Sequence, residues 1–471
     1  NLFLQTALTP DFNIQAELRK RKTEYGDLLY NFDLVKDFSP DNRTKVDQDT
    51  MRLGTHWKPS SRSDFVASLI YRDKQENKTQ INKGSGFKST TTTDLKENGH
   101  QLEAQYYFHS ESINFIAGIG NYNIDADQSS FSILGLDDPD LNPCLNNPSK
   151  CLTKSHYARK KNSAYLYTNI TYPNNLIWTL GFSYDNFKDA ANYKLSKFNP
   201  KFGLLWNIDN TTQLRLAAFK MIKPVLVIDQ TLEPTQIAGF NQFFEDHNET
   251  QSKQFGVGFD KRLTKNVHIG LEALHRNTTT PVFRLDPNIN DSANNFTFQH
   301  TEDGQEDTYR AYLYWMPASR WTVGMQYQFE KFTRDKNPTN DRNPNSPIRL
   351  ETTALPLKIH YANPTGFFSE LEGTYVHQNV VRTPSHYFDN DGSLNTEKPT
   401  FASGKETFFL LNTTVGYRFA KNQGIFKIMG LNLLDEKFKF QDLNFQTAEA
   451  INPYPYFVPE RILSAQITLN F

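Results

Sequence analysis

Strict alternation of apolar and polar residues, in pairs of runs joined by very short turns, constrains this chain more than any other feature. Side chains of a strand point alternately to opposite faces, so such a run separates an apolar environment from a polar one. Trp321, Val323, Met325, Tyr327 and Phe329 share one face of a run whose other face carries Thr322, Gly324, Gln326, Gln328 and Glu330. The preceding run ends in Ala311, Leu313 and Trp315, and Pro317-Ala318-Ser319 joins the two into a hairpin. The unit recurs around the turns Pro59-Ser60-Ser61, Ser110-Glu111-Ser112, Pro173-Asn174-Asn175, Asp209-Asn210 and Thr264-Lys265-Asn266. Between hairpins the connections read as long and polar, at 73–100, 124–160, 284–306, 335–347 and 383–406.

Short turns at one end and long loops at the other are the arrangement of a transmembrane barrel, with turns periplasmic and loops extracellular. A β-sandwich mixes loop lengths at both ends, and a propeller shows a repeated blade motif, which is missing from this sequence. The expected fold class is all-β, a transmembrane antiparallel β-barrel of about eighteen strands, sixteen to twenty being the range. Residues 1–471 read as one barrel domain, with 1–12 as a lead-in or a partial strand whose partner lies upstream. The chain starts at Asn1 without Met, which reads either as processing or as a fragment of something longer.

Composition fits this reading. Apolar residues make up 37% of the chain, too few for a bundle of membrane helices, and no run of about 18 apolar residues occurs. Aromatic residues nevertheless reach 14%, as expected when only a lipid face is apolar and the rims carry aromatic girdles. Basic and acidic residues nearly cancel, 51 against 52, which argues against a nucleic-acid partner.

The second face of the strands is polar, so the interior is read as hydrated. Candidate lumen-lining residues are Arg52, His56, Lys58, Arg215, Glu272, Arg310, Glu330, Lys358 and Arg418. Unpaired in a dry core, each would cost several kcal/mol, whereas a wide barrel leaves room for water. As a set they suit a pore or a plugged channel; individually they need mean no more than wetting, and acids balance bases too closely to assign selectivity. One connection differs. Within 224–250, Val225, Leu226, Val227, Ile228, Ile237, Phe240, Phe243 and Phe244 are too apolar for a free loop. Two readings stay open, a constriction folded into the lumen, with Ile237, Phe240, Phe243 and Phe244 as its candidates, or a strand extension pairing beyond the membrane.

Cys144 and Cys151 are the only cysteines. A metal hook would need a flanking His or Cys, which is missing, so a disulfide closing a small loop is preferred, implying an oxidising compartment. Asp125, Asp127, Asp137, Asp138 and Asp140 enrich the same stretch in carboxylates, but their spacing fits no calcium loop, so a solvated acidic loop is expected. No nucleophile elbow, phosphate loop or paired-His signature occurs, so no enzyme, catalytic residue, metal or cofactor is expected.

Three resemblances follow from particular residues. The terminal run Arg461 to Phe471 places Leu463, Ala465, Ile467, Leu469 and Phe471 on one face, and resembles the insertion signal of Gram-negative outer-membrane barrels. In that family Leu469 and Phe471 imply reading by the barrel-assembly machinery. Asn199 to Trp206, the arginine strand ending in Lys223-Pro224, and Gly416-Tyr417-Arg418 followed by Gly430 to Glu436 are similar to the barrel of TonB-dependent receptors. Departures are that no plug domain or TonB box precedes the first strand and that the strand count is below that family's. Gln230 to Phe244 resembles a stretch in barrels that follow periplasmic tetratricopeptide repeats, where the barrel serves as an exit pore. The resemblances imply the outer membrane, with lipid, lipopolysaccharide and a periplasmic partner or upstream periplasmic domain as neighbours. The functional expectation is a translocation pore of an export or uptake system. The alternatives are a TonB-driven, receptor-like uptake barrel and a structural or adhesive surface barrel.

Overall fold

The computed structural model describes residues 1–26, 41–84, 87–135, 151–189, 193–228, 230–285, 296–335, 347–382, 387–388, 394–395, 403–441, 457–458 and 460–470. Among the described residues, nineteen strands form one antiparallel sheet in which each strand pairs with its neighbours in sequence. The count falls within the expected range and one above the eighteen expected. The N-terminal run is a strand: β1 (Leu2–Thr9) pairs with β2 (Phe12–Tyr25) from Leu2↔Leu18 to Ala7↔Asn13, and its other edge has no partner among the described residues. Among the described residues the two edges of the sheet are β1 and the strand Ile462–Leu469, and both run toward the short-turn end.

The faces are inverted relative to a water-soluble sheet. On β5 (Phe87–His109), Leu102 is 51% exposed, while Gln101, Glu103 and Gln105 on the opposite face are buried. The apolar side therefore faces lipid and the polar side packs on protein inside. All five tryptophans, Trp57, Trp178, Trp206, Trp315 and Trp321, lie within a few residues of a short turn. An indole has an apolar body and one N–H, so it suits a membrane interface, and this ring marks the periplasmic rim.

Toward the other end the outward face of β5 turns polar from His100 through Asn98 and Lys96 to Asp94. The same switch occurs between Tyr71 and Asp73 on β4 (Ser63–Gly84) and between Ile119 and Asn121 on β6 (Ile113–Gly135). With 23 residues, β5 is roughly 75 Å long at about 3.3 Å per residue, whereas about ten residues cross a bilayer. The described residues of the connections expected at 73–100, 124–160 and 284–306 are thus largely strand. Both faces are polar beyond the membrane, so hydropathy loses its period of two there, while the backbone ladder continues unchanged. Asp125 and Asp127 accordingly belong to β6, and Asp127 accepts a contact from His156 Nδ1 at 2.9 Å; Asp137, Asp138 and Asp140 lie outside the described residues.

Candidate functional site in the lumen

The connection between β10 (Thr212–Ile222) and the strand Gln251–Thr264 does not extend the sheet. Proline has no N–H for the ladder, so backbone pairing stops after Lys223, whose amide donates to the Thr250 carbonyl at 2.8 Å, and from Pro224 the chain turns onto the inner wall. Val225 and Val227 pack with Ile70, Ile124, Phe187 and Leu195. A Cβ at Gly99 would lie 3.0 Å from Val227, so this glycine gives the segment its close approach. The tip is then hydrogen-bonded to the inward row of β5. Gln101 Nε2 donates to the Gln230 carbonyl at 2.8 Å and Gln105 Nε2 to the Leu232 carbonyl at 2.6 Å. Glu103 Oε1 accepts from Thr231 Oγ1 at 2.6 Å, from Tyr122 at 2.8 Å and from the Leu232 amide at 3.1 Å. Arg52 Nη2 donates to Gln230 Oε1 at 2.5 Å.

A small hairpin follows, Gln236–Ile237 against Phe240–Asn241, turned by Ala238 (φ 46°) and Gly239 (φ 85°). Both turn residues are left-handed, as a two-residue hairpin turn requires. Ile237 and Phe240 are 0% and 2% exposed against Tyr165, Tyr167, Ala217 and Phe219. This changes the sequence reading: these two anchor the segment to the wall and do not rim an opening. Phe244 lies under the Arg276 guanidinium at 3.9 Å, and Phe243 is half-buried. The exposed face of the segment is polar instead, with Thr235, Gln236, Asn241 and Glu245. Of the two readings left open, the segment follows the one that packs it inside.

Beneath the segment is a buried charge cluster. Lys161 Nζ lies 2.9 Å from Asp185 Oδ1, and Lys201 Nζ donates to the Lys220 carbonyl at 3.0 Å. Glu233, from the segment itself, accepts a 2.6 Å hydrogen bond from the Tyr167 hydroxyl. Burial holds its carboxyl above the ordinary carboxylate range, with Lys201 opposing the shift. Its folded pKa being raised, stability is full below the unfolded carboxylate pKa of about 4.3 and declines as pH rises above it. Glu233→Gln is therefore expected to match the wild type near pH 4 and to gain on it as the pH rises from there. Denaturant midpoints in detergent across that range check this; a pH-independent difference contradicts it.

The wall outside this region places the sequence-predicted charges in pairs. Arg215 meets Asp260 at 2.9 Å and Glu272 at 3.2 Å, and Arg310 meets Glu272 at 2.5 Å. Lys358 lies 3.1 Å from Glu370 and 2.8 Å from Glu372, and Glu330 accepts from Gln328 at 2.5 Å. Arg52 faces Glu17 at 3.6 Å, and His56 lies 2.8 Å from Asp64. Lys58 and Arg418 are exposed near the short-turn rim and have no ion pair among the described residues. Such self-compensation leaves little fixed field to select small ions. A second stretch also sits inside: Phe438, Phe440 and Phe457 pack on Phe408, and the Gln441 amide donates to Gln378 Oε1 at 2.7 Å. Neither this seat nor the Gln101, Glu103 and Gln105 row is singled out by sequence. The available signal was amides and acids at alternate positions behind Leu102 and Ala104, pointing where only water was expected. Cys151 is disulfide-bonded, and Cys144 lies outside the described residues.

The comparison with known families identifies this long-stranded sheet, with lipid outside and a segment seated inside. The family described as TonB dependent receptor-like, beta-barrel, matches residues 5–433. The chain belongs to that family. It is thus a bacterial outer-membrane β-barrel. No curated protein matches the chain in sequence. Among solved structures, it is similar to the ferric citrate transporter FecA in its unliganded form, at 14% identity and a TM-score of 0.62, covering 99% of this chain and 69% of that one. The ferric yersiniabactin uptake receptor FyuA from Yersinia pestis matches at 12% identity and a TM-score of 0.58, covering 99% of this chain and 68% of that one. The ferripyoverdine receptor of the Pseudomonas aeruginosa outer membrane matches at 10% identity and a TM-score of 0.61, covering 98% and 63%. At these identities the shared property is the fold. The chain spans 64% of the length of the chain that it matches in the FpvAI–pyocin S2 complex.

Proposed function

We propose that this TonB-dependent-receptor-type barrel serves uptake, and that its cargo is a ferric chelate of the class named for the structures it resembles. The observation that carries the reading is the receptor-barrel family match over residues 5–433. The lumen supports it: its charges are largely paired, and its 223–250 segment is pinned to the wall, which suits a gated, TonB-driven receptor better than an open export pore. In this reading the polar face of Thr235, Gln236, Asn241 and Glu245 narrows the passage.

Two measurements test it. Cells carrying the full-length protein should accumulate radiolabelled ferric chelate only when TonB is present; equal accumulation without TonB defeats the uptake reading. In planar bilayers the wild type should be nearly silent. Replacing 230–244 with a short Gly-Ser linker should open a stable conductance at least several-fold above it, and an unchanged conductance defeats the constriction.

A further inference from the structure

Lys220 and Lys253 stand directly opposite each other on the lipid-facing side of the sheet, and both are exposed. Like charges at opposed positions of an antiparallel pair repel, with Cβ atoms about 5 Å apart. Neither ammonium has an ion pair among the described residues. Two residues nearer the bilayer, Ala218 pairs with Phe255 and a groove of about 380 Å³ opens. Its walls are Phe202, Phe255 and Tyr309, and the small side chains of Ala218 and Ala273 leave the space between them. Asn277 extends the polar row beside Lys253. Asp307, next along the sheet from the groove, is engaged by His275 Nδ1 at 2.7 Å. The lysines lie at the long-connection end of the apolar band, and so on the outer-leaflet side.

We infer that this face is a binding site for a phosphorylated, multiply acylated lipid of the outer leaflet, one acyl chain in the groove and a phosphate across the two ammoniums. The groove alone would accept any acyl chain, and the lysine pair alone any anion. Their stacking along the membrane normal reproduces the order of head and tail in one lipid, and the phosphate removes the repulsion that the sheet otherwise carries. The site is on the outside of the barrel, independent of cargo and of the proposed uptake.

Full-length protein purified in neutral detergent should retain added phosphorylated lipid A, read by native mass spectrometry, at least tenfold better than the same lipid after dephosphorylation. Lys220→Gln with Lys253→Gln should abolish that preference, and Ala218→Leu with Ala273→Leu should lower retention of both lipids. Lys331→Gln, a lysine facing Glu351 elsewhere on the sheet, should change neither. Equal retention of the two lipids by the wild type overturns the proposal, and so does a loss in the Lys331 variant as large as in the lysine pair. The wild-type comparison needs no variant to fold.

Discussion

Replacing Arg276 with Ala lowers the unfolding free energy of the barrel by about 3–5 kcal/mol, the range for breaking a buried charge pair. The guanidinium is 2% exposed, lies 2.5 Å from Asp246 and also pairs with Glu306. Asp246 belongs to the lumen segment and Glu306 to the neighbouring strand, so one side chain ties the returning leg of the segment to the wall. Its removal leaves the buried Asp246 and the part-buried Glu306 without this cation, and also removes the cation over Phe244. Combining Arg276→Met with Asp246→Asn and Glu306→Gln should recover most of the loss, because no uncompensated charge remains. Equilibrium unfolding in detergent reads both; a loss for Arg276→Ala below about 1 kcal/mol, typical of an exposed pair, contradicts the assignment.

The second large effect comes from the wall beneath the segment. Ala217 pairs with Gly203 on one side and with Gly256 on the other, so three small residues in a row across adjacent strands form a recess. Ile237 and Phe240 fill it: a Cβ at Gly203 would lie 2.8 Å from Ile237, and one at Gly256 2.5 Å from Phe240. The strands are held by ladders on both sides, so the hairpin must yield. Gly203→Val with Gly256→Val should expel it from the wall, at an overpacking cost of about 1–3 kcal/mol per site. The variant should conduct in planar bilayers about as well as the protein with 230–244 replaced. A folded variant, shown by its heat-dependent gel mobility, that stays silent contradicts the seating.

How much of this was legible depended on which environments flank a strand. The run from Trp321 to Phe329 is readable because lipid lies on one side and a polar interior on the other. The upper halves of β4, β5 and β6 are polar on both sides, so Asp73 to His100 reads as a loop though the ladder runs through most of it. The composition of 224–250 announces that the segment packs on something. Its seat is not announced, because Gly203, Ala217 and Gly256 meet only through strand register. Likewise Arg215 is visible as an inward charge, while its partners Asp260 and Glu272 come from two other strands.

The sequence by itself determined the address and the architecture: a lipid-facing sheet of hairpins joined by short turns, since alternation and rim aromatics are local consequences of a two-sided environment. Only the tertiary structure decided what the interior does with its polar face. Which carboxylate neutralises which arginine, where Phe240 is buried, and that Lys220 opposes Lys253 above an apolar groove all depend on register between strands, and no single strand carries that information.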